Sequence, residues 1–208
     1  MEIKCLILGL VRTNCYIVYT EDTKKAVIID PAADSRRIIE ELEELGVNPE
    51  AILLTHGHFD HMLAADSLRN RYHIPVCVLE EDAELLEQPE LNCSERFLRM
   101  SYATFADELL YDGQQLSYID GKLKVIATPG HTAGSCCYYA AEENILFSGD
   151  TLFQGSVGRT DLPTAKASQI SVSIRENLFV LPEDTLVLSG HGEETTIGEE
   201  KQHNPYVL

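Results

Sequence analysis

The sequence predicts a layered α/β fold with its chemistry gathered at one edge, on three observations. Short apolar runs alternate with amphipathic helical stretches along the chain. Four of those runs lead directly into a side chain able to hold a metal ion. The 208 residues, 44% hydrophobic and 24% charged, are enough for one substantial core. No low-complexity segment or Gly/Ser linker divides them, so one domain over residues 1–208 is expected.

The first part reads as strands over residues 2–8, 14–19 and 26–29, the last closing on Asp30-Pro31. Ile38, Ile39, Leu42 and Leu45 then recur on one helical face, and Gly46 is a stop signal. A strand over 51–54 follows, then a helix through Ala64, Ala65 and Leu68. Residues 75–79 read as a strand and 83–87 as a short acidic helix, whereas 89–106 are irregular or helical. In the second half, strands are expected over 122–127, 135–139 and 144–147, the last two as an antiparallel pair. A helix over 170–178 and a final strand over 185–188 complete the reading.

The richest segment is Thr55-His56-Gly57-His58-Phe59-Asp60-His61. Its four potential ligands, His56, His58, Asp60 and His61, lie within six positions after the apolar run Ala51-Ile52-Leu53-Leu54. Neutral imidazole and carboxylate suit a zinc-like or iron-like ion, and side chains this close can serve two ions. The other apolar runs behave alike: 125–127 lead to His131, 145–147 to Asp150 and 186–188 to His191. Strand ends and the loops after them share one edge of a layered fold, where rigid elements aim side chains that water can reach. Five of the seven histidines sit at these places, a distribution that packing does not explain. Gly130, Gly134, Gly149, Gly190 and Gly192 let the backbone turn beside a crowded site. His73 and His203 belong to no motif and read as structural or surface residues.

Lys plus Arg number 16 against 34 Asp plus Glu, a net charge of −18. That field repels nucleic acid and anionic membrane, so neither is an expected partner. No stretch approaches 18 apolar residues, and the N-terminus lacks a basic region with a small-residue cleavage site. The six cysteines have no CxxC spacing and read as reduced, several of them in the core, in a cytoplasmic protein. Arg159 is the candidate for gripping a substrate carboxylate, with a salt bridge to Asp161 or Asp150 as its structural alternative. Asn14, Cys15 and Tyr16, near the first hairpin, read as core strand residues with substrate contact as the alternative, and neither Cys136 nor Cys137 is expected to be catalytic.

Asp30-Pro31, the heptapeptide, Thr128-Pro129-Gly130-His131-Thr132, Gly149-Asp150 and Gly190-His191 together resemble the metallo-β-lactamase-fold superfamily over nearly the whole chain. The resemblance implies a four-layer αβ/βα sandwich: two mixed β-sheets facing each other, helices outside, metals at one edge. It implies that His56, His58 and His131 hold one metal, Asp60, His61 and His191 a second, and that Asp150 bridges both. The expected cofactors are two divalent ions, zinc foremost, with iron or manganese as alternatives. An aspartate at the bridging position is similar to the hydrolase branches rather than to the antibiotic-resistance enzymes.

Within those branches, Gly149-Asp150-Thr151-Leu152-Phe153 and Gly158-Arg159-Thr160-Asp161 resemble the glyoxalase II group. The stretch from Gly192 to Pro205 resembles its short single-domain bacterial members. Longer members carry a C-terminal helical domain that contacts glutathione; with the chain ending at Leu208, that domain is expected to be missing. Those members also place a lysine and a tyrosine where Arg159 and Asp161 stand, and a tyrosine where Glu193 stands.

The implied reaction is attack of a metal-bridging hydroxide on a thioester carbonyl. Asp60 is a ligand that also orients the nucleophile through its free oxygen. A small-molecule thioester is the expected partner, and the oligomeric state is left open. Three alternatives stand beside this reading. A mononuclear-iron persulfide dioxygenase resembles the same motifs, including Gly-Arg-Thr-Asp; a lactonase would use nearly the same metal apparatus; an RNA-processing role conflicts with the net charge.

Overall fold

Successive residues of a strand face opposite sides of its sheet, and this chain uses both sides of two sheets. A computed structural model describes residues 1–207. The first sheet runs in sequence order through β1 (Glu2–Leu8), β2 (Thr13–Tyr19), β3 (Lys25–Ile29), β4 (Asn48–Leu53), β5 (Val76–Leu79) and β6 (Glu108–Leu110). Its first three strands are antiparallel and β3 to β6 are parallel, so the sheet is mixed.

The second half supplies β7 (Lys124–Ala127), β8 (Cys136–Ala140), β9 (Ile145–Gly149), β12 (Leu186–Ser189) and β13 (Thr195–Thr196), with a hairpin of β10 (Leu152–Phe153) and β11 (Ser156–Val157) between β9 and β12. The order is β13-β12-β9-β8-β7, with only β9 and β12 parallel. The helices are α1 (Ser35–Leu45), α2 (Ala65–Tyr72), α3 (Ala83–Glu87), α4 (Ser94–Leu98), α5 (Ala167–Ser173) and α6 (Ile197–His203).

Three cores make four layers. Ile17, Ile28 and Ile52 point outward from the first sheet and pack with Ile38 and Leu42 of α1 and Leu68 of α2. Their neighbours Val18, Val27 and Leu53 point inward and meet Tyr138 and Phe147 of the second sheet. On the second sheet's far face, Cys137, Leu146 and Val187 pack with Ile170, Ile174, Leu178 and Ile197. All these side chains are buried, and each aliphatic one stabilises the fold by roughly 1.5–3 kcal/mol. The predicted four-layer sandwich with two mixed sheets and flanking helices is therefore the observed architecture.

Local signals explain the ends of α1. Asp34 accepts from the Arg37 N–H at 3.4 Å, and Gly46 takes the left-handed conformation at φ 64°. Elsewhere the elements differ from expectation. The strand ending at Ser189 is not the last, because β13 and α6 follow it. The helix expected over 170–178 begins at Ala167 and finishes as a π-helical turn over Ile174–Leu178. Within 89–106 only α4 is regular, and β6, β10 and β11 are too short to leave a period. Among the described residues, no helix is long and apolar enough to cross a membrane.

Candidate metal centre

Four strand ends build the site. The turn after β4 carries His56, His58, Asp60 and His61; the turn after β7 carries His131; Asp150 follows β9; His191 follows β12. The parallel pairing of β9 with β12 puts Asp150 and His191 side by side, and the Gly190 N–H donates to the Gly149 carbonyl at 2.8 Å. All seven predicted ligands meet here. Their donor atoms form three overlapping groups, His56 with His58 and His131, His56 with His61 and Asp150, and Asp60 with His61 and His191, each within 4.8 Å.

Asp150 faces both halves. Its Oδ2 lies 3.6 Å from His131 Nε2, while its Oδ1 lies 3.4 Å from His61 Nε2 and 3.6 Å from His191 Nε2. Asp60 Oδ2 stands 3.3 Å from His191 Nε2 and 3.6 Å from His61 Nε2. These separations are long for hydrogen bonds, but donors set 2.0–2.2 Å around a shared tetrahedral ion must stand about 3.4 Å apart.

Metal binding is tested by atoms that nothing else satisfies. Nε2 of His56, His58 and His61 and Oδ1 of Asp150 are buried without a hydrogen-bond partner. Four such atoms converging in one place would be costly unless a cation took their lone pairs. His58 Nδ1 and His131 Nε2 also stand 2.9 Å apart. His131 donates its Nδ1–H to the Arg159 carbonyl at 2.8 Å, so its Nε2 carries a free lone pair in the neutral ring. The donor set fits divalent metal.

Electrostatics agree. Burial, then the neighbouring imidazoles, hold His56 well below the usual histidine range and bring His58 down to about 3, which keeps both rings neutral. Burial opposes the charge on Asp150, but facing His61, His131 and His191 carries its carboxyl well below the ordinary value. Asp60 is also lowered, with burial outweighed by His61 and His191. His61 is raised despite burial, because Asp30, Asp150 and Asp60 surround it.

Two buried carboxylates outside the predicted set hold the ligand loops. Asp30, at the end of β3, accepts from the Thr55 N–H at 2.8 Å, the Thr55 hydroxyl at 2.7 Å and His61 Nδ1 at 2.9 Å. Its place at a strand end, like the ligands, was the available signal. Asp82 accepts from Gly57 N–H at 2.9 Å, Thr132 Oγ1 at 2.7 Å and Gly134 N–H at 2.6 Å, tying the histidine turn to the His131 turn. Asp82 sits inside the run Glu80-Glu81-Asp82, which in sequence looks like a solvated helix start. Gly134 must be glycine because a Cβ there would strike the Asp82 backbone, and Gly149 combines φ 49° with close contact to Thr55.

The remaining candidates divide. Arg159 borders the cavity above the ligands, and its Nε and Nη2 donate to Asp161 at 2.6 and 2.7 Å. The salt bridge is therefore with Asp161, while the guanidinium stays half exposed at the site. Asn14 donates to the Ser189 and Gly192 carbonyls at 3.0 and 3.1 Å, and the Tyr16 hydroxyl to the Ser189 carbonyl at 2.7 Å, so both brace the His191 turn. Cys136 and Cys137 are fully buried on opposite faces of β8. His73 closes α2, and His203 pairs with Glu199 on the surface.

Residues 8–191 match the model of the metallo-beta-lactamase superfamily. The chain is 34% identical to the hydroxyacylglutathione hydrolase GloC of Haemophilus influenzae, over all of this chain and 98% of that one. It resembles the crystal structure of the BLEG-1 B3 metallo-beta-lactamase at TM-score 0.94 and 42% identity, covering both chains completely. It resembles the di-iron-bound form of TTHA1623 at TM-score 0.87 and 34% identity, over 98% of this chain and 99% of that one.

Proposed function

The chain belongs to the metallo-beta-lactamase superfamily, a metallo-hydrolase family by its relatives, and on that premise we propose that it is a dinuclear thioester hydrolase of the hydroxyacylglutathione hydrolase kind. The observation that carries this reading is Asp150, whose two oxygens face two separate sets of donors. His56, His58 and His131 would hold one ion, Asp60, His61 and His191 the other, and Asp150 both. Bound there, a zinc pair would supply Lewis acidity toward a carbonyl oxygen and lower the pKa of a shared water toward neutrality.

The protein's own groups do the rest. Asp60 and His191 lie on the more open side of the cluster, with side chains 17% and 26% exposed, so substrate enters past them. Asp60 aligns the attacking group through the carboxylate oxygen not committed to the histidines. Arg159 orients a polar end of the substrate through the guanidinium nitrogen that Asp161 leaves free. Among the described residues bordering the cavity there is no lysine or tyrosine to protonate a leaving group. A thiolate, with an ordinary pKa near 8.5, departs without that help.

The 42% identity to BLEG-1 favours a second reading, hydrolysis of a β-lactam amide. An amide nitrogen needs a proton to leave, and a cavity without lysine or tyrosine among the described residues bordering it ranks this below thioester cleavage. The di-iron relative makes iron the alternative metal. We place the protein in the cytoplasm, supported by six free thiols, and its substrate among small molecules, supported by the net charge.

The test is elemental analysis of purified protein joined to three assays. Two zinc ions per chain with lactoylglutathione hydrolysis exceeding nitrocefin hydrolysis is expected. Bound iron with oxygen consumption on glutathione persulfide, and no thioester cleavage, would overturn the reading.

A further inference from the structure

The cavity over the ligands holds about 450 Å³, and its walls differ from its floor. The floor is the polar cluster. On one side Phe97 of α4 stacks on Phe59, with ring centroids 5.9 Å apart and planes at 26°. Phe153, Val157 and Leu162 line the same cavity. Phe97 remains 47% exposed, so part of an aromatic ring is left in water at the cavity.

These walls are fastened rather than incidental. The buried carboxylate of Glu200 on α6 accepts from the Gly155 N–H at 2.9 Å, between β10 and β11, and from Asn204 Nδ2 at 2.7 Å. Asn204 also donates to the Ser156 carbonyl at 3.0 Å. The hairpin carrying Phe153 and Val157 is thereby pinned to the last helix. On the other side the Phe59 N–H donates to the Asn92 carbonyl at 3.0 Å, which holds the α4 segment against the histidine turn.

Charge is scarce by comparison. Among the described residues bordering the cavity, Arg159 is the sole arginine or lysine, and two of its nitrogens already serve Asp161. In the metal-loaded protein Asp60 and Asp150 would be committed to the cations, while the whole chain carries −18. A further cation, Arg96, stands beside Phe97 with its guanidinium carbon 5.3 Å from the ring centroid, so a thiol carrier with several negative charges would be only partly compensated.

The geometry points to a subsite for an apolar arm: the preferred thioester has an aliphatic or aromatic chain attached directly at the reacting group and a carrier of little negative charge. This inference rests on the thioesterase reading and gives it a substrate class. The chain lies between Phe97 and Phe153, and Arg159 meets a single polar group at the other end.

Two series test it on the metal-loaded protein. One lengthens the acyl chain from acetyl to octanoyl on a small neutral thiol; the other keeps acetyl and lengthens the alkyl thiol, with glutathione and coenzyme A as charged comparisons. In at least one series kcat/KM should rise about threefold to fourfold per methylene that becomes buried. Phe97→Ala and Phe153→Ala should each flatten that slope. Calorimetry with non-hydrolysable dialkyl thioethers gives a readout independent of turnover, with a heat-capacity change growing more negative as the chain lengthens. Flat slopes in both series, with turnover intact, would overturn the apolar subsite and leave the hydrolase standing. No turnover of any thioester would overturn the proposed function, and the thioether calorimetry would still decide the subsite: binding unaffected by chain length would overturn it.

Discussion

Asp30 Oδ2 lies 2.9 Å from His61 Nδ1, and this contact decides which nitrogen of the ring faces the cluster. With Nδ1–H donated to the carboxylate, Nε2 is the nitrogen turned toward Asp60 and Asp150, where a bound cation would take its lone pair. Asp30 is itself held by Thr55 at both oxygens, so the brace is rigid.

Asp30→Asn keeps the shape but offers one acceptor where three donors converge. Metal affinity, measured by competition with a chromogenic chelator, is expected to fall about tenfold to a hundredfold. Unchanged affinity would mean that packing alone orients His61.

Asp82 acts at a greater distance, through backbone. Its removal in Asp82→Ala strands the Gly57 and Gly134 N–H groups in a buried place, while the Thr132 hydroxyl keeps Ser135 Oγ at 2.7 Å. Unsatisfied buried donors cost about 1–3 kcal/mol each, partly relieved by relaxation, so a net loss of about 3 kcal/mol is expected. At about 2–4 °C per kcal/mol for a chain of this size, the thermal midpoint should drop by roughly 6–12 °C. A melt within a degree of wild type would show that the two ligand turns hold themselves.

The contrast between these two carboxylates and the seven candidate ligands tells what a sequence can carry. His56, His58, Asp60, His61, His131, Asp150 and His191 are legible because metal chemistry restricts the residue type, and strand ends restrict the place. Consecutive apolar pairs such as Ile17-Val18 and Leu146-Phe147 make the layers legible too, since a strand buried on both faces reads as an unbroken hydrophobic run. Asp82 leaves no such mark, because two of its three partners are backbone N–H groups, 25 and 52 residues away, that every residue type except proline owns. The α6 segment is missed for a related reason: its function is to hold Gly155 and Ser156 in place through Glu200 and Asn204, side chains that look solvated until the fold buries them.

His58→Ala removes a donor whose ring is buried and held neutral by that burial. The variant should bind less metal per chain and lose on the order of a hundredfold or more in turnover, with its circular dichroism spectrum retained. Full activity in that variant would refute the dinuclear mechanism.

Arg159 separates main-chain from side-chain roles. Its carbonyl accepts from His131 Nδ1, a contact that survives any substitution, while its guanidinium borders the cavity. Arg159→Ala should raise KM by roughly threefold to tenfold with kcat within about twofold, the signature of an interaction equal in ground and transition states. An unchanged KM would confine the side chain to its fork with Asp161.

Thiol reactivity tests burial across the whole fold. Cys5 is exposed, whereas Cys15, Cys77, Cys93, Cys136 and Cys137 are buried. Burial also pushes Cys77 and Cys137 up to about 12, so at pH 8 neither inaccessible sulfur offers an appreciable fraction of thiolate. A disulfide reagent added to the native protein at pH 8 should therefore titrate one thiol of six rapidly, and the other five only after denaturation. Cys5→Ser should abolish the rapid phase. A second fast thiol in that variant would place one of the buried sulfurs in contact with solvent, with Cys93 the first to examine because it borders the metal cavity.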